Sequence, residues 1–128
     1  MKLFILTNHT ATEQQLEDAK RTFGVTEIVD LPADLKALWG SVPPEIDSVA
    51  EYVVPVLQWL ESLLRLGDVV WVQGEWGATL TVIDWCRARS VRCVYSTTQR
   101  IAVERVLPGG GVALTHVFDH VRFRDFFK

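Results

Sequence analysis

Asp68–Arg100, DVVWVQGEWGATLTVIDWCRARSVRCVYSTTQR, restricts the fold more than any other stretch of this chain. Asp68–Gln73 is β-branched and aromatic and runs straight into Gly74. Glu75–Arg89 has helical spacing. Val91–Ser96 is a second short apolar run, and it ends in the cluster Ser96-Thr97-Thr98-Gln99-Arg100, which reads as a polar turn. Two short apolar strands joined by one helix make a right-handed unit with parallel strands. Both strands then deliver their carboxyl ends to one edge of the sheet, where ligands of open α/β sheets bind. That edge carries Gln73 and Gly74 from one strand and Thr97, Thr98 and Arg100 from the other.

The flanking segments extend this unit. Leu3–Thr7 reads as a first strand rather than a signal peptide, because a polar turn and no small-residue cleavage site follows it. Thr10 and Glu13 suit a capping box; Leu16, Ala19 and Phe23 line the helix that follows, and Gly24 stops it. Thr26–Asp30 is a second strand, and Pro32 opens a short helix ended by Gly40. Val42-Pro43-Pro44 is a rigid connector. From Glu45 to Gly67 the apolar spacing predicts one long helix kinked at Pro55. Beyond Arg100, Ile101–Leu107 and Val112–Phe118 alternate around Pro108-Gly109-Gly110-Gly111, the pattern of a β-hairpin. Val121 and Phe123 fall on the opposite parity to Phe118, so a bulge or break near Asp119 is expected. The fold class is α/β: one Rossmann-like domain over residues 1–128, a three-layer sandwich whose parallel strands run 2-1-3-4, with the hairpin on one edge. The first and third strands flank the switch point, so His9 and Gln73 should line the crevice between them.

Bulk properties narrow the function. No apolar run approaches the ~18 residues of a membrane span, and 48% hydrophobic with 23% charged residues is ordinary for a soluble globular protein. Cys86 and Cys93 match neither a zinc spacing nor a disulfide framework; both read as buried apolar side chains, which fits a reducing cytoplasm. Residues 1–64 carry 4 Lys/Arg against 10 Asp/Glu, and residues 65–128 carry 9 against 6. An anionic ligand should therefore meet the second half, although no broad basic face for duplex nucleic acid is expected.

Chemistry-bearing residues gather near the predicted sheet edge. Gly74-x-x-Gly77 at a strand-to-helix turn suits either close approach by a phosphate or tight helix–strand packing, and no dinucleotide fingerprint or P-loop accompanies it. Thr97-Thr98-x-Arg100 pairs hydroxyls with a permanent cation, as phosphodiester or ribose recognition requires. Asn8 and His9 end the neighbouring strand, and His9 suits acid–base work. Trp76 at the helix start could lie under an adenine. No Ser–His–Asp or Cys–His order is evident, and His116 and His120 lack carboxylates at metal-ligand spacing, so no metal is assigned.

Six segments, spread in order over almost the whole chain, resemble the small stand-alone CRISPR-associated proteins of the Csx-twenty family. They are Asn8-His9-Thr10, Leu31-Pro32, Pro43-Pro44-Glu45, Gln73-Gly74-x-x-Gly77-Ala78-Thr79, Ser96-Thr97-Thr98-x-Arg100 and Thr115–Arg124. The resemblance implies a CARF-like (CRISPR-associated Rossmann fold) homodimer that binds a cyclic oligoadenylate, cyclic tetra-adenylate above other ring sizes. It implies a ring nuclease that opens this second messenger of type III CRISPR systems without metal or cofactor, by attack of a ribose 2′-hydroxyl on the adjacent phosphate. Candidate catalytic residues are His9, Arg100, Thr98 and Asn8. Candidate ligand-binding residues are Thr10, Gln73, Gly74, Trp76, Gly77, Thr79, Ser96 and Thr97. The alternatives are a sensor or sequestering module that holds the ring uncut, and a plain protein-interaction domain.

Overall fold

A computed structural model describes residues 1–127. Strand β1 (Lys2–Leu6) leads through helix α1 (Glu13–Phe23) to β2 (Glu27–Asp30). Helices α2 (Ala33–Trp39) and α3 (Val54–Leu63) then return the chain to β3 (Val69–Val72). Helix α4 (Trp76–Ala88) and the long strands β4 (Arg92–Val106) and β5 (Val112–Asp125) complete the fold. The sheet order is β2-β1-β3-β4-β5. The first four strands are parallel in the expected 2-1-3-4 order and β5 runs antiparallel on the edge, but the hairpin is no separate addition, because β4 is both the fourth parallel strand and its first arm.

Strand alternation sorts the core into two layers. Leu3, Ile5, Val69, Trp71 and Val94 face α1 and pack with Ala19, Phe23 and Phe123. Phe4, Leu6, Val70, Val72 and Cys93 face the other way, against Trp39 of α2, Val56 and Leu60 of α3, and Ala78, Val82, Ile83 and Cys86 of α4. Cys86 and Cys93 are free and buried there; the hydrogen bond to Cys86, and then burial, push the Cys93 thiol far up. Asp68 ties the sheet's opposite end, accepting from the backbone N–H groups of Lys2 and Arg65, both at 2.8 Å. Among the described residues no helix is long and apolar enough to cross a membrane.

Three local expectations change, and the expected irregularity near Asp119 holds. The capping box of α1 is Thr12 with Gln15, not Thr10 with Glu13: Thr12 Oγ1 accepts from Gln15 N (3.2 Å) and Gln15 Oε1 accepts from Thr12 N (2.9 Å). The long kinked helix is absent. Pro55 sits in the first turn of α3, where its missing N–H has no acceptor to lose. The preceding residues form turns anchored by Tyr52 Oη, which donates to the carbonyls of Leu38 (2.7 Å) and Ser41 (3.1 Å). The polar cluster 96–100 is no turn; β4 runs through it for 15 residues, because β5 satisfies its backbone to the end of the hairpin. The phase change is a bulge: Thr97 pairs with Arg122 and Thr98 with His120, so Val121 is the extra residue.

Candidate functional site

β1 and β3 are neighbours, yet their crossovers leave in opposite directions, β1 toward β2 and β3 toward β4. The carboxyl ends of the two strands therefore separate and open a crevice, as at other topological switch points. A cleft of about 620 Å³ lies there, on the α1 side of the sheet. The β1–α1 loop forms one wall with Thr7 to Thr12, Trp71, Gln73 and Gly74 end β3, and Ser96, Thr98 and Phe118 come from the hairpin strands. The loop keeps its shape through Thr7 Oγ1, which donates to the His9 carbonyl at 2.9 Å. Gln73 joins β3 to β4 where the ladder ends: its Oε1 accepts from Ser96 N (2.8 Å) and from Trp71 Nε1 (2.7 Å). Among the described residues no Asp, Glu, Lys or Arg lines the cleft, so hydrogen bonding and His9 dominate its chemistry.

Asn8, His9, Thr10, Gln73, Gly74, Ser96 and Thr98 all line this cleft. Arg100 does not line it. It stands two residues beyond Thr98 on β4, exposed and paired in register with Phe118, which puts it on the cleft's face of the ribbon at the rim. Thr97 points to the opposite face of the sheet, and its buried Oγ1 has no hydrogen-bond partner among the described residues. Trp76, Gly77 and Thr79 also lie away from the cleft, on α4. Trp76 is 85% exposed, and Thr79 Oγ1 is buried without a hydrogen-bond partner among the described residues.

The two glycines have structural explanations. A Cβ at Gly74 would stand 2.7 Å from Trp39 Nε1, so the residue is small because an indole fills the space beside it. That indole donates from Nε1 to the Gln73 carbonyl at 3.1 Å. A Cβ at Gly77 would meet Glu75 Oε1 and Val49 Cγ2, each at 3.0 Å. Glu75 itself caps α4, accepting from the N–H groups of Gly77 and Ala78. The N–H groups at this helix start, for which phosphate approach and tight packing were both open, are thus already taken by the chain's own carboxylate.

A Ser–His–Asp arrangement is present after all. His120 Nε2 lies 2.6 Å from Asp18 Oδ2, and His120 Nδ1 lies 2.6 Å from Ser96 Oγ. All three residues are buried. Burial pushes the Asp18 carboxyl up, but hydrogen bonds from His120, Thr22 and Arg21 outweigh it and hold the group below its ordinary value. The Val121 bulge brings the imidazole inward. It sets His120 on the same face as Phe123, three residues on, with ring centres 4.7 Å apart, and Gln14 Nε2 donates to the His120 carbonyl at 3.0 Å. The parity change between Phe118 and Phe123 was the one sequence signal for this. Among the described residues no three His, Cys, Asp or Glu side chains gather as a metal ion would require.

The family described as "Uncharacterized protein MJ1673 family" matches residues 1–124. A curated relative from Methanocaldococcus jannaschii, "Uncharacterized protein MJ1673", is 34% identical over 125 residues, covering 98% of this chain and 96% of its own length. No solved structure matches the chain.

Proposed function

The chain belongs to the MJ1673 family, and we propose that it is a CARF-like ring nuclease that opens cyclic tetra-adenylate in the switch-point cleft. One observation carries this reading: a cleft lined by uncharged hydrogen-bonding groups and His9, with a histidine–carboxylate pair behind Ser96. Such a lining suits a transesterification that needs alignment and charge stabilisation more than a strong external nucleophile. The ribose 2′-hydroxyl attacks the adjacent phosphorus, the 5′-oxygen departs, and a 2′,3′-cyclic phosphate is left. Asn8, Thr98 and Gln73 orient the sugar–phosphate, Arg100 at the rim balances the phosphate charge, and His9 supplies the proton to the leaving oxygen.

A second copy completes the proposed site. The β4–β5 ribbon leaves Val112, Leu114, Val117 and Phe118 at least half exposed, and α4 presents Trp76 and Leu80. An isolated two-stranded ribbon is marginal in water, and apolar patches of this kind mark interfaces. A two-fold arrangement places two clefts around one ring.

Incubation with cyclic tetra-adenylate followed by chromatography tests the reading. Linear products ending in 2′,3′-cyclic phosphate are expected, with the rate unchanged in excess EDTA. Tight binding of an uncut ring would make the protein a sensor or sequestering module. Neither binding nor cleavage would remove the substrate assignment.

A further inference from the structure

Asp18, His120 and Ser96 come from three elements, α1, β5 and β4, and meet in one unbroken line. The tautomer follows from the partners. A carboxylate only accepts hydrogen bonds, so the His120 Nε2 carries a hydrogen toward Asp18. In the neutral imidazole Nδ1 is then a bare lone pair, and Ser96 Oγ–H must be the donor across the 2.6 Å contact. These are the roles in which an imidazole draws a proton from a hydroxyl while a carboxylate fixes its tautomer and steadies the cation that forms. The carboxylate is itself fixed, by Thr22 Oγ1 at 2.8 Å and an Arg21 guanidinium nitrogen at 3.0 Å. Gln15 Nε2 donates to Ser96 Oγ at 3.3 Å, so the hydroxyl is oriented from the helix side as well.

The placement argues against a purely structural network. A buried polar cluster that serves packing alone gains little over apolar side chains of the same volume. It also has no reason to end on a cleft wall. This one does: Ser96 lines the cleft, while Asp18 and His120 lie behind it.

We propose that these three residues form a proton relay opening on the cleft, with Ser96 Oγ as the catalytic group and His120 and Asp18 as the positioning residues behind it. The relay deepens the ring-nuclease reading and rests on it for the identity of the incoming hydroxyl. The ribose 2′-hydroxyl lies against Ser96 Oγ. As its oxygen bonds to phosphorus, its proton passes to Ser96 Oγ and the Ser96 proton passes to His120 Nδ1. The bond from phosphorus to the 5′-oxygen breaks, that oxygen keeps the electron pair, and it takes a proton from His9. Imidazolium at His120 and neutral His9 then exchange a proton through water, which restores both. No atom is gained or lost, and one ring bond has been traded for a cyclic phosphate.

The test uses Ser96→Ala, His120→Gln and Asp18→Asn in the full chain. Single-turnover cleavage of cyclic tetra-adenylate is measured across a pH series, and ring affinity by calorimetry. Ser96→Ala and His120→Gln should slow cleavage at least ~100-fold while Kd stays within about threefold. The wild-type rate should fall on acidification, as the imidazole is protonated, and His120→Gln should lose that limb. The groups facing the imidazole are Asp18, backed by Arg21 and Thr22 of α1, Ser96 of β4 and the Phe123 ring, so Asp18→Asn should move the limb. A Ser96→Ala rate within about threefold of wild type, or affinity lost in step with rate, would overturn the relay. If wild-type protein neither binds nor cuts rings, the substrate assignment fails and a fluorophosphonate probe decides on the relay. Labelling of Ser96 that slows at least ~10-fold in His120→Gln sustains it; an unlabelled Ser96 in wild-type protein overturns it.

Discussion

A single methyl group added at Gly74 should unsettle this protein well beyond what an exposed strand end suggests. The new Cβ would lie 2.7 Å from Trp39 Nε1, 2.9 Å from Cε2 and 3.1 Å from Cζ2. Trp39 is 1% exposed and packed in the core. Either the end of β3 or the indole must move, and overpacking of this kind costs ~1–3 kcal/mol. The same movement pulls Nε1 from the Gln73 carbonyl it donates to at 3.1 Å, and a buried donor left unpaired adds ~1–3 kcal/mol. One displacement serves both terms, so their joint cost is about 2–4 kcal/mol rather than the full sum. Gly74 is not among the glycines with positive φ, so alanine fits the backbone and regains ~0.4–1 kcal/mol through the unfolded chain. The net loss is about 1–3.6 kcal/mol. With ~2.1 cal/mol/K of unfolding entropy per residue, a chain of this length should melt about 4–13 °C lower. Thermal melts followed by circular dichroism measure this, for Gly74→Ala alone and in a Trp39→Phe background. The smaller ring should remove most of the added penalty. A drop below ~2 °C, or an equal drop in both backgrounds, would refute the claim that the indole dictates glycine here.

Arg100→Ala should slow single-turnover ring cleavage at least ~100-fold, equivalent to ~2–4 kcal/mol of transition-state charge stabilisation. Arg87→Ala should leave the rate unchanged, because Arg87 ends α4 and stacks on Phe127, 4.9 Å from the ring centre; equal rates for wild type and Arg100→Ala would put the site elsewhere. Asp18 titrates below its ordinary value of 3.8 in the folded chain, so it contributes stability that is present above that value and lost as pH falls through the lowered one. Denaturant melts down an acid series should show this loss in wild type and a flatter curve for Asp18→Asn. Sedimentation equilibrium should give a dimer at micromolar concentration, and Phe118→Asp with Leu114→Asp should shift it toward monomer; a wild-type monomer would remove the two-fold arrangement.

The sequence alone determined the parallel order of β1 to β4, the stop of α1 at Gly24, the opening of α2 at Pro32 and the sheet edge at which the cleft opens. These follow from local chemistry: strand and helix periods, glycine and proline at element ends, and the handedness of crossovers. It also registered the phase change beyond Phe118, although not its consequence. Only the tertiary structure decided what happens across β4. Ser96–Arg100 is polar enough for a turn, but β5 supplies backbone partners throughout and holds it extended. Alternation then separates Thr97 from Ser96 and Thr98, although the three are consecutive. Glu75 and Trp39 settle Gly77 and Gly74 from positions that glycine spacing does not reveal. The line from Asp18 to His120 joins residues 102 apart, and that from His120 to Ser96 joins residues 24 apart. No periodicity reports a contact of that kind, because it depends on where α1 crosses the sheet and on one extra residue, Val121, that turns a histidine inward.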